Sequence, residues 1–231
     1  MYVLHYAPDN ASLIIRLVLE ELGLPYSTAL LDRAKRQHEK APYRRVNPTG
    51  LIPALVTPDG AIFETGAILL WLSERHGAMA PAPGNRERAA FLKWLFFVSN
   101  TLHADLRQLF YPEKYAGTAG SHAAHHLLTR ARIERHLGLL DAMGMAERPS
   151  WFNASQPSVL TYYVDCCLRW LALYPLDTAG WFDLSHYPCL WGIAERQERR
   201  PAALRVAEVE GLGAAIFSKP SYANPPEGSV M

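Results

Sequence analysis

The stretch Val46-Asn47-Pro48-Thr49-Gly50-Leu51-Ile52-Pro53-Ala54-Leu55, continued by Phe63-Glu64-Thr65-Gly66-Ala67-Ile68-Leu69, decides how this chain is read. Between its two halves, Pro58-Asp59-Gly60 is hairpin-turn chemistry, so 54–57 and 61–63 are expected to pair as strands. From Glu64 to His76 the apolar residues Ile68, Leu69 and Leu72 recur at helical spacing. Working outward, Tyr2 to Tyr6 is strand-like and Ala7-Pro8-Asp9-Asn10 is a turn. A helix follows from Ser12 through Leu13, Ile14, Leu17, Val18 and Leu22, and Gly23 and Pro25 end it. Tyr26 to Leu31 reads as a second strand. The charged stretch Asp32 to Arg45 reads as part helix, part loop.

Gly77 to Glu87 holds two Pro and two Gly, which continue neither a helix nor a central strand. We therefore read 1–78 as one domain, 79–87 as a linker and 88–217 as a second domain. The second domain carries long helical periods. The first helix, 88–111, carries Phe91, Leu92, Leu95, Phe96, Leu102, Leu106 and Leu109 close to i, i+3, i+4, i+7 spacing. Further helices are expected over 121–143, 158–174 (apolar almost all round, hence buried), 186–199 and 202–208. The tail, 218–231, has three Pro and a Gly and reads as loosely ordered. The fold class is thus an α+β domain followed by an all-α helical bundle.

Composition narrows the function. Across 231 residues, 23 Lys and Arg balance 22 Asp and Glu, a net of +1 that does not suit a protein held mainly by nucleic-acid phosphates. No apolar run approaches the ~20 residues of a membrane helix. The start of the chain has neither a basic region nor a long apolar run, so no secretory leader is expected. The three cysteines, Cys166, Cys167 and Cys189, are odd in number and two are adjacent, which argues against a disulfide framework. A cytoplasmic setting is expected.

The Asn-Pro-x-Gly motif, the following apolar residue and Pro53, and the Glu64-Thr65 pair eleven residues after that Pro resemble the glutathione transferase family. So do Ala7-Pro8 to Ser12, the run Leu17 to Pro25, and Arg200-Pro201 near the end of the helical half. The similarity spans about 1–217 and points to bacterial, serine-type or beta-like members. It implies a thioredoxin-like N-terminal domain that binds glutathione, a helical domain that supplies an electrophile pocket, and a homodimer. Reduced glutathione would be a co-substrate, the partner a small hydrophobic electrophile, and no bound cofactor or metal is implied.

The resemblance also implies roles for residues. Leu51, Ile52 and Pro53 would form the bend, with the Ile52 backbone pairing in antiparallel β fashion with the peptide-like ligand. Thr65 and the helix start would hold the γ-glutamyl carboxylate, because a helix N-terminus favours an anion. Glu64 would meet the γ-glutamyl ammonium or cap the helix. Lys35 and His38 would provide a cation for the glycyl carboxylate. Only the thiolate is a strong nucleophile, and a hydroxyl donor at a helix start favours it. Ser12 fits that role, with an N-cap as its plain alternative; Tyr6, at the strand end, is the competing activator, with packing as its plain alternative. Asn100 and His103 would face the electrophile, and the run Asn-Thr-Leu-His is similar to a beta-class pattern in which the His reaches the thiol. A non-catalytic module on the same fold is the alternative. A glutathione-dependent isomerase, dehalogenase or reductase would share the thiol site.

Other motifs carry less. His122, His125 and His126 share a helical face, but no Cys or carboxylate ligand stands at metal spacing, so a solvated face is favoured. Cys166-Cys167 lies in the buried helix and reads as core. Gly211-x-Gly213 lacks the strand and the third Gly of a nucleotide loop. The family commonly has Ser followed three residues later by Asp at the start of the buried helix. Here Thr161 stands in the acid's place, so the cap of that helix is expected to be weaker or made differently.

Overall fold

The structure, a computed structural model, describes residues 1–175 and 180–230. Strand β1 (Tyr2–Tyr6), helix α1 (Ser12–Glu21) and strand β2 (Tyr26–Leu30) form a parallel crossover, with Tyr2 opposite Tyr26 and Tyr6 opposite Leu30. A short α2 (Ala41–Arg44) precedes β3 (Ala54–Thr57) and β4 (Gly60–Phe63), the expected hairpin. β3 lies antiparallel to β1, so the sheet runs β2-β1-β3-β4. Helix α3 (Thr65–His76) closes this thioredoxin-like domain, and Gly77 ends it in the left-handed region, where glycine is unstrained.

The second domain is helical: α4 (Arg88–Phe97), α5 (His103–Phe110), α6 (Pro112–Tyr115), α7 (His122–Ala146), α8 (Val159–Leu173), α9 (Pro188–Gln197) and α10 (Pro201–Glu210). The single helix expected over 88–111 is interrupted. Val98–Leu102 forms a π-helical turn between α4 and α5. Such wide turns concentrate at functional sites, and here the turn brings Ser99 and His103 to the interdomain cleft. Helices α9 and α10 start later and earlier, respectively, than expected because Pro188 and Pro201 occupy their first positions, where the missing N–H costs nothing.

Helix α8 is buried on nearly every residue, and its cap is complete. Ser158 Oγ accepts from the Thr161 N–H at 3.1 Å, while Thr161 Oγ1 accepts from the Ser158 N–H at 2.9 Å. Thr161 therefore does what an acid would do in a capping box, without burying a charge. Cys166 and Cys167 are fully buried in this helix, and burial pushes both thiols up.

One apolar core runs through both domains, with α1 at its centre: Leu13, Ile14, Ile15, Leu17, Val18 and Leu19 have no solvent exposure. Charged pairs ring the same helix. Arg16 meets Glu210 at 3.2 Å, Arg200 meets Glu21 at 2.5 Å, and Arg205 meets Glu20 at 2.8 Å. The proline-rich tail, read as loosely ordered, has no regular secondary structure but is tied to both domains. Arg169 donates to the Ser221 carbonyl, Arg33 to the Val230 carbonyl, and Tyr6 to Glu227. No described helix is long and apolar enough to cross a membrane.

Candidate active site

A cleft of about 630 Å³ opens between the two domains. Two helix starts converge on it. At α1 the turn Asp9-Asn10-Ala11 lines the cleft. Asn10 Oδ1 accepts from the Ala11 N–H at 2.8 Å, which leaves its two amide N–H donors without a partner among the described residues. At α3, Glu64 and Thr65 line the same space; Glu64 takes φ 71°, rare for a residue with a side chain, and swings the chain into the helix. The first helical carbonyl bond here is that of the Ile68 N–H to Glu64, so the N–H groups of the first turn are open to a ligand. Gly66 in that turn lets Ser99 approach, since a Cβ there would stand 3.0 Å from Ser99 Oγ.

The floor between these helix starts is the loop Asn47–Pro53. Asn47 is buried and holds it from within. Its Nδ2 donates to the Leu51 carbonyl at 2.7 Å and its Oδ1 accepts from the Thr49 N–H at 3.1 Å and hydroxyl at 2.8 Å. Tyr43 donates its hydroxyl to the same Leu51 carbonyl at 2.5 Å. Gly50, at φ 68°, passes so close to the His38 carbonyl that a Cβ would stand at 3.1 Å. The Ile52–Pro53 peptide is cis, and the Ile52 N–H and C=O have no partner among the described residues. An extended peptide laid beside Ile52 would find a donor and an acceptor there.

The opposite wall is aromatic: Tyr111, Tyr163, Trp170 and Tyr174, with His103 among them. His103 Nδ1 shares a hydrogen bond of 2.8 Å with the Tyr163 hydroxyl. Burial, helped by the nearby Arg107 charge, pushes the imidazole down to about 4. His103 is therefore neutral near pH 7.

The comparisons with known proteins agree with this geometry. Residues 11–75 match the family model described as the glutathione S-transferase N-terminal domain. The disulfide-bond oxidoreductase YfcG of Escherichia coli K12 is 29% identical over 209 residues, covering 87% of this chain and 92% of that protein. Glutathione S-transferase GstA of Escherichia coli O157:H7 is 27% identical over 217 residues, covering 90% and 98%. Among solved structures, a sphingomonad glutathione S-transferase complexed with glutathione superposes with a TM-score of 0.74 at 26% identity, covering 91% of this chain and all of that one. These likenesses support a glutathione transferase family with a thioredoxin-like N-terminal domain.

Within this glutathione transferase fold the sequence-derived residues divide. Leu51, Ile52, Pro53, Glu64, Thr65, His38 and His103 line one cleft. Four others do not line it. Ser12 is fully buried, its hydroxyl donating to the Ala7 carbonyl at 3.0 Å and accepting from the Ala7 N–H at 3.3 Å. The first turn of α1 rotates Ser12 inward and presents Asn10 and Ala11 instead. Ser12 is not the N-cap either: Ala11 holds that position. Tyr6 is buried, under the Arg16 guanidinium at 4.2 Å, with its hydroxyl 2.5 Å from Glu227. Burial and that carboxylate push its phenol up to about 12, which opposes a role as thiol activator. Lys35 points to solvent and pairs with Asp32 at 2.9 Å, whereas Arg33 lines the cleft. Asn100 is exposed on the π turn, away from the cleft that its neighbour Ser99 lines.

Sequence reasoning missed Asn10, Arg33 and Arg107. Asn10 carried a signal, an Asn in a turn just ahead of a helix; the two arginines carried none. Among the described residues no three His, Cys, Asp or Glu gather as a metal site. His125 instead bonds the Gln108 carbonyl at 3.2 Å.

Proposed function

We propose that the cleft binds reduced glutathione and activates its thiol for attack on a small electrophile. The observation that carries this reading is the convergence on one cleft of two helix starts, that of α3 with its first-turn N–H groups open, and the unpartnered Ile52 backbone. In this reading Ile52 pairs with the cysteinyl backbone, and Thr65 with the first turn of α3 holds the γ-glutamyl carboxylate. Glu64 meets the ammonium. Arg33 and His38 face the glycyl carboxylate, with Arg33 in the place expected of Lys35. The free amide donors of Asn10 and the start of α1 stabilise the thiolate. Ser12 acts one step back, fixing the turn through Ala7. The thiolate attacks an electrophilic carbon held against the aromatic wall, and the leaving group departs with the bonding pair. Neutral His103 orients the Tyr163 hydroxyl there.

A second reading has an observation of its own: similarity to a disulfide-bond oxidoreductase. No cysteine lines the cleft, so thiol–disulfide exchange would run on the sulfur of glutathione rather than on a protein thiol. We further propose a cytoplasmic homodimer. Exposed apolar side chains such as Phe96, Leu127 and Leu128 support contact with a second copy.

The test is paired. Glutathione binding is measured by calorimetry, and turnover is measured with a chlorinated nitrobenzene and, separately, with a small disulfide. Binding with aryl turnover supports conjugation, and binding with disulfide turnover alone supports exchange. Binding without either supports a non-catalytic module.

A further inference from the structure

We propose that the second-domain side of the cleft is a subsite for a flat ligand bearing a carboxylate, with Arg107 as its receptor. The inference rests on the glutathione reading for its neighbour but on separate residues. Arg107 lines the cleft on α5, half-buried, one turn beyond His103. Its guanidinium makes no ion pair or hydrogen bond among the described residues. That sets it apart from Arg33 on the same cleft, which donates to the Val230 carbonyl and the Tyr111 hydroxyl, and from four arginines elsewhere. Arg16, Arg88, Arg169 and Arg200 each meet a carboxylate.

Among the described residues, the two acids that line the cleft, Asp9 and Glu64, make no ion pair with Arg107. Asp9 is committed to Arg169 through both oxygens, and Glu64 belongs to the first domain, at the start of α3. A cation partly withdrawn from water with no counter-charge is costly, and a ligand that brings one is favoured. A guanidinium presents a planar fork that matches a carboxylate in a bidentate pair. The surroundings add flat apolar surface: Phe110, Tyr111 and Tyr174 line the same part of the wall. At the rim Lys114 lies 4.4 Å over the Tyr111 ring and adds a second positive charge. The ligand chemistry is thus a carboxylate, with the flat apolar surface beside it favouring an aromatic body. Two sources share that chemistry: an aryl carboxylate, and the glycyl end of a second glutathione.

The test is a calorimetric comparison on the full-length protein. The probes are 3-nitrobenzoate, its neutral partner 3-nitrobenzamide, reduced glutathione and glutathione disulfide. They are titrated into wild type, Arg107→Gln and Arg107→Lys. We expect the benzoate to bind wild type at least about tenfold more tightly than the amide, the worth of about 1.4 kcal/mol. Arg107→Gln should erase the difference, Arg107→Lys should retain part of it, and reduced glutathione should bind all three proteins alike. If glutathione disulfide loses about tenfold with Arg107→Gln while reduced glutathione does not, the subsite stands and a second glutathione is its ligand. If neither the benzoate nor the disulfide responds to Arg107→Gln while reduced glutathione binds, the subsite is overturned and the glutathione site survives. If reduced glutathione fails to bind but the benzoate preference is present and lost in Arg107→Gln, the subsite stands and the glutathione reading falls.

Discussion

Asp9 and Arg169 form a two-armed ion pair across the domain boundary. Each carboxylate oxygen lies 2.8 Å from a guanidinium nitrogen, and neither side chain reaches solvent. The same carboxylate accepts from Trp170 Nε1 at 3.0 Å and from the Tyr174 hydroxyl at 3.1 Å. Asp9 holds φ 47°, and its N–H donates to Glu210 at 2.9 Å. The turn that presents Asn10 to the cleft is therefore fixed from the helical domain as well as from its own, where Ser12 holds Ala7. Replacing Arg169 by Leu strands a buried carboxylate, so chemical denaturation should report a loss of about 3–5 kcal/mol. Asp9→Asn with Arg169→Leu should lose less than the two single changes added, because neither charge is then left alone.

Asn10→Ala should reduce turnover by about ten- to a hundredfold, the worth of one hydrogen bond to a charged atom, with glutathione affinity little changed. The apparent thiol pKa, followed by ultraviolet absorbance of the bound thiolate, should rise. Ser12→Ala should instead cost about 1–2 kcal/mol of stability and less of the rate. Tyr6→Phe should leave the rate at the wild-type level. A rate collapse in Tyr6→Phe with Asn10→Ala unaffected would reverse the assignment.

His103 gives a pH prediction with a definite sign. Its folded value, about 4, lies below the ordinary histidine value of 6.5. Between those limits the unfolded chain takes up a proton that the folded chain refuses, so stability falls as pH drops from 6.5 to 4. Above 6.5 this contribution is constant. Urea midpoints across that range should fall more steeply for wild type than for His103→Gln, and equal slopes would contradict the neutral imidazole.

The cap of α8 is open to a simple check. Ser158→Ala removes the acceptor of the Thr161 N–H, and Thr161→Val removes the acceptor of the Ser158 N–H. Each should cost about 1 kcal/mol in a thermal melt. Thr161→Asp, which restores the family's usual acid, should not stabilise, because it buries a charge where a neutral hydroxyl already completes the box.

The sheet, its hairpin and the helical second half were legible because they rest on local signals: Pro58-Asp59-Gly60 at the turn and apolar spacing in α3 and α8. The cleft loop was legible through its motif, and Ile52 and Thr65 do meet in one space. What the chain order did not reveal is rotation. Ser12 and Asn10 are two residues apart, and only the phase of the first turn of α1 decides which of them faces the cleft. The choice of Arg33 over Lys35 follows from the path of an irregular loop that no periodicity describes. Arg107 was hidden among helix positions whose facing depends on the π turn before them. Proline in the tail excluded regular structure but said nothing of the bonds that Arg33, Tyr6 and Arg169 make to it.

The central claim is that this cleft is built for glutathione. Calorimetric titration of reduced glutathione into wild type and Thr65→Ala tests it most directly. The account predicts saturable binding at one site per chain, weakened about tenfold or more when the Thr65 hydroxyl, a donor to the γ-glutamyl carboxylate, is removed. No saturable heat at several temperatures, or equal binding by the two proteins, would contradict it.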